Sequence, residues 1–484
     1  MKVLLLNAPP MKTMGVVGFM YPPLGILYLA SYAREKLAGL EIKVIDGYQE
    51  SFEKIPGMIT DFKPDVIGVS FTTQASTGAY EIIKRVKTSL PETLIVSGGP
   101  HPTLLSSEVL ENSMTDIVVV GEGEETFLEI LKAFKESKDL DNIAGTIVKS
   151  NGLIKINAIR PLIKDLDTIP FPARDLLDMR RYPGYHYKKR KRDTSLVSGR
   201  GCPFDCVFCS NPVWKNQKPW FRLRSPQNIA DEIEHLMNDF GIYEFYDETD
   251  EFNGNLSWAK AVCDELIKRK LDISWKAQMR ADNVDVELAR KMVQAGCWLG
   301  FFGVESGNDR TLEGIGKKLT VADIKRSLHT LKQANMKTFA LLMAFNVWEQ
   351  DGKLCYETKQ DTLNTLNFAK EMVREKMVDL ISWSLTTPFP GSKLYDIALK
   401  YKLIPQERIG RWELWDPSSN FVMELPGITN QDWIDIQTEG KKLQARLLIK
   451  SGTFNIHSIP LYAKKAFSLI KNKMGLSNQN SHRN

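Results

Sequence analysis

The sequence predicts an α/β protein in three parts: a doubly wound parallel sheet, a second parallel sheet curled into a partial barrel of six strands, and a helical C-terminal region. Three observations predict this. The first 140 residues alternate short Val- and Ile-rich runs with helix-like segments. The alternation restarts at Thr194, after a stretch rich in proline and charge. Near the end, "LYAKKAFSLIKNKMGL" (Leu461–Leu476) sets apolar residues at helical spacing with lysines between. The expected boundaries are 1–140, 141–193 for a hairpin and linker, 194–403, and 404–484.

In the first part the strands are "KVLLLN" (Lys2–Asn7), "EIKVID" (Glu41–Asp46), "DVIGVSF" (Asp65–Phe71), "TLIVSGG" (Thr93–Gly99) and "DIVVVGEG" (Asp116–Gly123). Segments such as Leu24–Leu37 and Gly78–Leu90 separate them. Such sheets bind ligands at the carboxyl ends of their strands. Small and polar residues gather there: Ser70, Thr72 and Thr73, then "GGPHPT" with Gly98, Gly99 and His101, then "GEGEET" with Gly121, Glu122 and Gly123. These glycines either admit a ligand to the backbone or merely make tight turns. No G-x-G-x-x-G follows the first strand, which weakens a dinucleotide reading.

"GTIVKSNGLIKIN" (Gly145–Asn157) predicts a hairpin turning at Asn151-Gly152. The run "KKRKR" (Lys188–Arg192) reads as a solvated linker. The third part continues with strands at Thr194–Gly199, Ile242–Asp247, Ile273–Gln278, Trp298–Ser306, Lys337–Phe345 and Val378–Leu385. Barrel enzymes carry their chemistry at the carboxyl ends of such strands.

Bulk properties narrow the class. The 484 residues are 43% hydrophobic and 25% charged, with a net charge of +5 that gives no case for nucleic acid. No apolar run reaches the roughly 18 residues of a membrane helix. "MKVLLLNAPP" is too short for a signal peptide and is cut by Pro9 and Pro10, so it reads as a first strand. The expected setting is the reducing cytoplasm, where clustered cysteines serve metals or catalysis.

Three of the six cysteines, Cys202, Cys206 and Cys209, fall in "GCPFDCVFCSNP". Structural thiols are an improbable use of such tight spacing. Structural zinc wants four protein ligands, and none completes the set nearby. An iron–sulfur cluster with one iron left open for substrate is the third reading. Cys263, Cys297 and Cys355 read as buried inert thiols.

Two resemblances sharpen this. "PPLGILYLASY", "DVIGVSFTT", "GGPHPT" and "GEGEET" resemble the flavodoxin-like cobalamin-binding domain that precedes many radical S-adenosylmethionine enzymes. The D-x-H-x-x-G of the wider cobalamin group is absent, and His101 reads as loop-shaping more than as a cobalt ligand. C-x-x-x-C-x-x-C with Phe208 before the last cysteine resembles the radical S-adenosylmethionine signature. That resemblance implies a 4Fe-4S cluster on Cys202, Cys206 and Cys209, with S-adenosylmethionine on the fourth iron. It also implies that Glu305, in "GVESGNDRTLEGIGKKLT", meets the ribose hydroxyls, and that "TPFPGSKLYDIALKYKL" closes the barrel.

Other strand-end residues fit S-adenosylmethionine. Asp247, Glu248, Asp250 and Glu251 are either ammonium acceptors or a solvated acidic turn, and Arg280 offers a fork for a carboxylate. The fifth strand departs from the family's glycine-rich turn; Asn346 and Trp348 face substrate there or simply pack. The C-terminal tail docks on the barrel or lies on a membrane surface.

The resemblance implies an electron from a donor such as flavodoxin or ferredoxin, cleavage to a 5′-deoxyadenosyl radical, and hydrogen abstraction from carbon. Methylcobalamin then delivers a methyl group to a small-molecule or lipid substrate. Radical cyclisation, rearrangement or deoxygenation, with or without cobalamin, is the alternative; a cobalamin sensor without catalysis is another.

Overall fold

The computed structural model describes residues 1–11, 20–150, 152–185, 187–210, 215 and 217–451. The first sheet contains β1 (Lys2–Asn7), β2 (Glu41–Asp46), β3 (Val66–Ser70), β4 (Leu94–Gly98), β5 (Ile117–Val119), β6 (Thr146–Ser150) and β7 (Leu153–Ile156). Their order is 2-1-3-4-5-6-7, and the first five run parallel. The continuous apolar run of β1 marks a central strand buried on both faces. Val3 and Leu5 enter one core, with helices Leu24–Lys36 and Glu124–Lys135. Leu4 and Leu6 enter the other, with Ile55–Phe62 and Ser76–Ser89.

The order 2-1-3-4-5 is that of flavodoxin-like sheets, which bind ligands at the switch point between β1 and β3. The hairpin expected in the linker is built onto this sheet instead. β6 pairs antiparallel with β5, Val118 facing Ile147, and β7 forms the edge. Its apolar Ile147 and Val148 are buried against the sheet, which is why the hairpin is held there. Of its turn, Asn151 lies outside the described residues.

The second sheet opens with β8 (Thr194–Leu196), after which a ribbon pairs β9 (Gly199–Arg200) with β10 (Arg222–Leu223). Then come β11 (Glu244–Asp247), β12 (Ser274–Met279), β13 (Cys297–Glu305) and β14 (Lys337–Ala344). A hairpin of β15 (Val347–Gln350) and β16 (Lys353–Tyr356) precedes the last strand, β17 (Leu380–Leu385). β8, β11, β12, β13, β14 and β17 lie side by side, all parallel, with β8 and β17 at the open edges. This is the partial barrel of six strands.

The hairpin accounts for the departure after the fifth strand. Its turn is Asp351-Gly352, both with positive φ, joining two antiparallel strands. Trp348 is fully buried against Gly314, where a β-carbon would clash with the indole. Asn346 is fully buried too, and its backbone and side-chain nitrogens both donate to Glu357 (3.0 and 3.1 Å). Both residues pack rather than face a ligand.

The basic run is tethered, not a free linker. Arg190 pairs with Asp272 at 2.5 Å, Arg192 donates to the Phe240 carbonyl at 2.9 Å, and Lys189 lies over Trp298. The helix Asn430–Lys450 docks on β17, with Gly440 against the Trp383 indole. Before it, Trp412 donates to Glu108 (2.8 Å), and Gln74 donates to the Trp415 carbonyl (2.6 Å). The C-terminal region therefore holds both sheets. Leu461–Leu476 lies outside the described residues. No helix among the described residues is long and apolar enough to cross a membrane.

Candidate active site at the domain junction

The two sheets direct their carboxyl ends at one cavity of about 390 Å³. From the first sheet it is lined by Ser70, Gly98, Gly99, Gly121, Glu122 and Gly123. From the barrel come Val197, Gly201, Glu248 and Asp250. Apolar walls are added by Leu24, Ile26 and Phe127.

Glycine is required at Gly99: its φ is +92°, and a β-carbon would stand 2.6 Å from Ser70 Oγ. Gly121 also has positive φ (+81°). Bare backbone and apolar walls of this kind fit a large organic cofactor laid on the sheet's end.

Thr72 and His101 do not line the cavity. Thr72 is exposed and hydrogen-bonds Tyr48. His101 is fully buried, its Nε2 3.0 Å from the Tyr80 hydroxyl and 3.5 Å from Glu108, with its ring near Phe71 and Trp412. It shapes the loop and the contact with the C-terminal region.

Glu122 lines the cavity but spends its carboxylate on the protein. It accepts from Ile163 N (3.0 Å), Arg200 Nη1 (3.1 Å) and both Arg222 terminal nitrogens (2.9 and 2.7 Å). Arg200 also pairs with Glu124. These residues clasp the first sheet to the β9–β10 ribbon.

The cysteine loop follows that ribbon's first strand. Two distant stretches pin it. Val207 N donates to Ile315 O, and Leu394 N donates to Val207 O, both at 2.9 Å. Lys393 pairs with Asp205 at 2.5 Å. The stretches "GIGKK" and "PGSKL" thus act as a mount for the loop. Phe208 is half-buried against the barrel core.

Cys206 is buried, while Cys202 and Cys209 are half-buried. Burial pushes the Cys202 thiol up to about 12. It raises Cys206 too, against the opposing charges of Lys317 and Arg280. Among the described residues no three Cys, His, Asp or Glu side chains converge on a single ion. A cluster makes no such demand, because its thiolates bind separate irons. Three thiols on one loop, with buried cations beside them, fit that ligand set.

Around the loop the charged residues are largely paired. Glu305 ends β13 with φ +60° and accepts from Lys317 at 3.0 Å; both side chains are 8% exposed. Arg280 forks onto Asp282 (2.8 and 2.7 Å), not onto a free carboxylate position, and stacks over Phe204 at 3.6 Å. Asp247, read from sequence as either an ammonium acceptor or part of a solvated acidic turn, is turned into the protein. It accepts from the Ser198 hydroxyl (2.5 Å) and from Thr249 N (3.0 Å), which join β11 to the loop after β8.

The neighbouring acids differ. Glu251 accepts from Arg280 N (2.6 Å), and burial pushes it up to about 8 against the charges of Lys317 and Arg280. Glu248 opens onto the cavity, and desolvation of its carboxyl pushes it up to about 7. Lys317 and Asp282 were not singled out from the sequence; their importance arises only through these non-local pairs.

A glycine-rich parallel sheet facing a three-cysteine loop on a partial barrel defines the class of cobalamin-dependent radical S-adenosylmethionine enzymes. Comparison with known proteins agrees. Residues 12–131 match the B12 binding domain, and residues 196–351 match the radical SAM superfamily. An uncharacterized methyltransferase of Pyrococcus horikoshii is 34% identical over 439 residues, covering 89% of each chain. The anaerobic magnesium-protoporphyrin IX monomethyl ester cyclase of Cereibacter sphaeroides is 30% identical over 433 residues, covering 86% of this chain and 65% of that one. The structure of OxsB with aqua-cobalamin and S-adenosylmethionine bound superposes with a TM-score of 0.74 at 18% identity, covering 97% of this chain and 71% of that one.

The chain belongs to the cobalamin-dependent radical S-adenosylmethionine enzyme family. Its cofactors are a 4Fe-4S cluster, S-adenosylmethionine and cobalamin.

Proposed function

We propose that the protein is a C-methyltransferase acting on an unactivated carbon of a small molecule or lipid. One observation carries this reading: Gly201, which precedes Cys202, and Gly99, at the end of the first sheet, line the same cavity. A methyl carrier on the sheet and a radical source on the barrel would therefore face each other. Cys202, Cys206 and Cys209 would hold the cluster; Glu305, Asp250 and Glu251 border the place for S-adenosylmethionine. Ser70, Gly98, Gly99, Gly121 and Gly123 would bed the corrinoid. When bound, these groups supply the radical that takes a hydrogen atom and the methyl group that replaces it.

The chain's own residues position and exclude. The mount formed by Ile315 and Leu394 fixes the cysteine loop. The Glu122 clasp holds the two halves in register and narrows the access of water to the cavity. The electron would come from a flavodoxin or ferredoxin, and the setting is the cytoplasm.

The test is an anaerobic assay of reconstituted protein with reductant and candidate lipids, tetrapyrroles and sugars, read by mass spectrometry. Formation of 5′-deoxyadenosine together with a product heavier by one methyl group supports the reading. The cyclase relative favours one second reading, ring closure, for which the product gains no methyl group.

A further inference from the structure

The interior of the barrel carries an aromatic surface that none of the residues above accounts for. Inward positions of adjacent strands are set by register: Ser195 faces Tyr246, Gln278 faces Phe301, and Phe301 faces Phe339. The alternate residues Phe245 and Trp275 stack on the outer side. Phe301 and Phe339 stack at 4.9 Å, and Tyr246 lies 5.1 Å from Phe301.

Two further segments complete the surface. Tyr185, from the linker, meets Phe301 edge-on at 5.9 Å and Tyr246 at 6.1 Å. Tyr187 meets Phe339 at 5.5 Å. Tyr21, from the first domain, lies 6.0 Å from Tyr246 and 6.3 Å from Tyr185. Six rings from three parts of the chain thus form one continuous layer.

Below the layer the barrel is sealed. Lys276, Asp193 and Glu244 have fully buried side chains, with Lys276 Nζ 2.6 Å from Asp193 and 3.3 Å from Glu244. The Tyr21 hydroxyl donates to Asp193 at 2.7 Å, so that ring is anchored from beneath. Above the layer the inward residues are only partly covered: Leu341, Met343, Ser382 and Ser384 are all half-buried. Buried side chains fill the lumen below the rings, while the inward side chains above them are only half-buried. At that upper level Val197 and Glu248 also line the junction cavity, so the cavity reaches the barrel mouth. Glu248 forms no ion pair among the described residues.

From this placement we infer that the ring layer is the floor of the substrate chamber, that it selects a substrate with a flat ring system, and that Glu248 selects a cationic or hydrogen-bond-donating group on that substrate. Tyr21 and Tyr185 are then specificity residues supplied to the barrel by the first domain and the linker. Ring-on-ring contact explains why Tyr21, whose hydroxyl is tied to Asp193 from below, is left half-buried at this level together with Tyr185.

The inference rests on the radical-enzyme reading, and its test is separable from it. Calorimetric titration of the anaerobically reconstituted holoenzyme uses three probes: 2-naphthylmethylamine, 2-naphthalenemethanol and cyclohexylmethylamine. The naphthyl amine is expected to bind at least about tenfold more tightly than the saturated amine. Tyr21→Leu and Tyr185→Leu should each weaken both naphthyl probes by about 3- to 10-fold, while Tyr21→Phe, which keeps the ring, should retain binding. Glu248→Gln should weaken the amine by about tenfold and spare the alcohol.

Iron content and melting temperature establish that each variant is folded; if Tyr21→Leu is not, Tyr185→Leu carries the test. Equal affinity for the saturated amine, or leucine variants with unchanged naphthyl affinity, overturns the inference. A protein that forms no 5′-deoxyadenosine under reduction but binds the naphthyl probes as described would sink the proposed function and leave the chamber standing.

Discussion

Replacing Glu122 with Ala should loosen the junction between the two halves by about 3 kcal/mol. The carboxylate accepts two hydrogen bonds from Arg222, one from Arg200 and one from Ile163 N, at 2.7 to 3.1 Å. The Arg222 side chain is 4% exposed. Removing one partner of a buried ion pair costs about 3–5 kcal/mol, because the other charge is left without compensation. The lower end applies here, since Arg222 keeps the Ile163 carbonyl (2.6 Å) and Arg200 keeps Glu124. For a unit of the first sheet's size this lowers the melting midpoint by about 6–12 °C.

The assay is differential scanning calorimetry of wild type, Glu122→Ala and Glu122→Ala/Arg222→Met. The double variant removes the stranded charge and should melt above the single one. A pH series adds a second constraint. Burial works against ionised Glu122, but the Arg222 hydrogen bonds and the charges of Arg200 and Arg222 outweigh it and hold the carboxyl below its usual range. Its stabilisation is therefore complete above the unfolded value of about 4.3 and is lost as pH falls through the folded one. The deficit of the variant should shrink in that acidic window. A single variant that melts within about 1 °C of wild type at pH 7 would refute the reasoning, as would strict additivity in the double variant.

Cys206→Ala should cut iron and labile sulfide and abolish 5′-deoxyadenosine formation, measured after anaerobic reconstitution; retained cleavage would remove Cys206 from the ligand set. Gly99→Ala should cost about 1–2 kcal/mol from its φ of +92° alone, and should reduce cobalamin retention because the new methyl group presses on Ser70 Oγ. Absorbance of the corrinoid after gel filtration reads this out, and wild-type retention would contradict the cavity assignment. Glu305→Gln should weaken S-adenosylmethionine binding by about tenfold in equilibrium dialysis, while Lys317→Met, which deletes only its partner's charge, should alter iron loading more than that affinity.

The architecture was legible because its signals are local. The β1 run "KVLLLN" reads as a two-sided core strand, and the cysteine spacing is confined to one loop. Strand-end chemistry was less legible. An aspartate at the end of a strand looks the same whether it faces a ligand or, like Asp247, bonds to Ser198 on the next loop. Arg280 matches a carboxylate fork, but its partner Asp282 lies only two residues away and was available in the sequence all along. The β15–β16 hairpin carries an Asp-Gly turn, a signal that turn chemistry could have found. The Lys317–Glu305 pair had no such signal, since its meaning depends on where Cys206 sits.

Charged contacts carry much of the junction between the two halves, and the function gives a reason. The buried apolar clusters of the first sheet and of the barrel are separate; beside the apolar contacts of Tyr21 and Leu105 with the barrel, the junction carries Glu122 with Arg200 and Arg222, and Glu108 with Trp412. Interfaces of this polar kind permit relative motion, whereas a continuous hydrophobic core does not. A corrinoid would enter a cavity whose walls come from both halves, and a junction rich in charged pairs would let those halves part. The same walls must close once it is seated, because a radical in reach of water or bystander side chains is lost. Paired carboxylates and guanidinium groups meet both demands: they fix one register when closed, and either surface remains compatible with solvent when open.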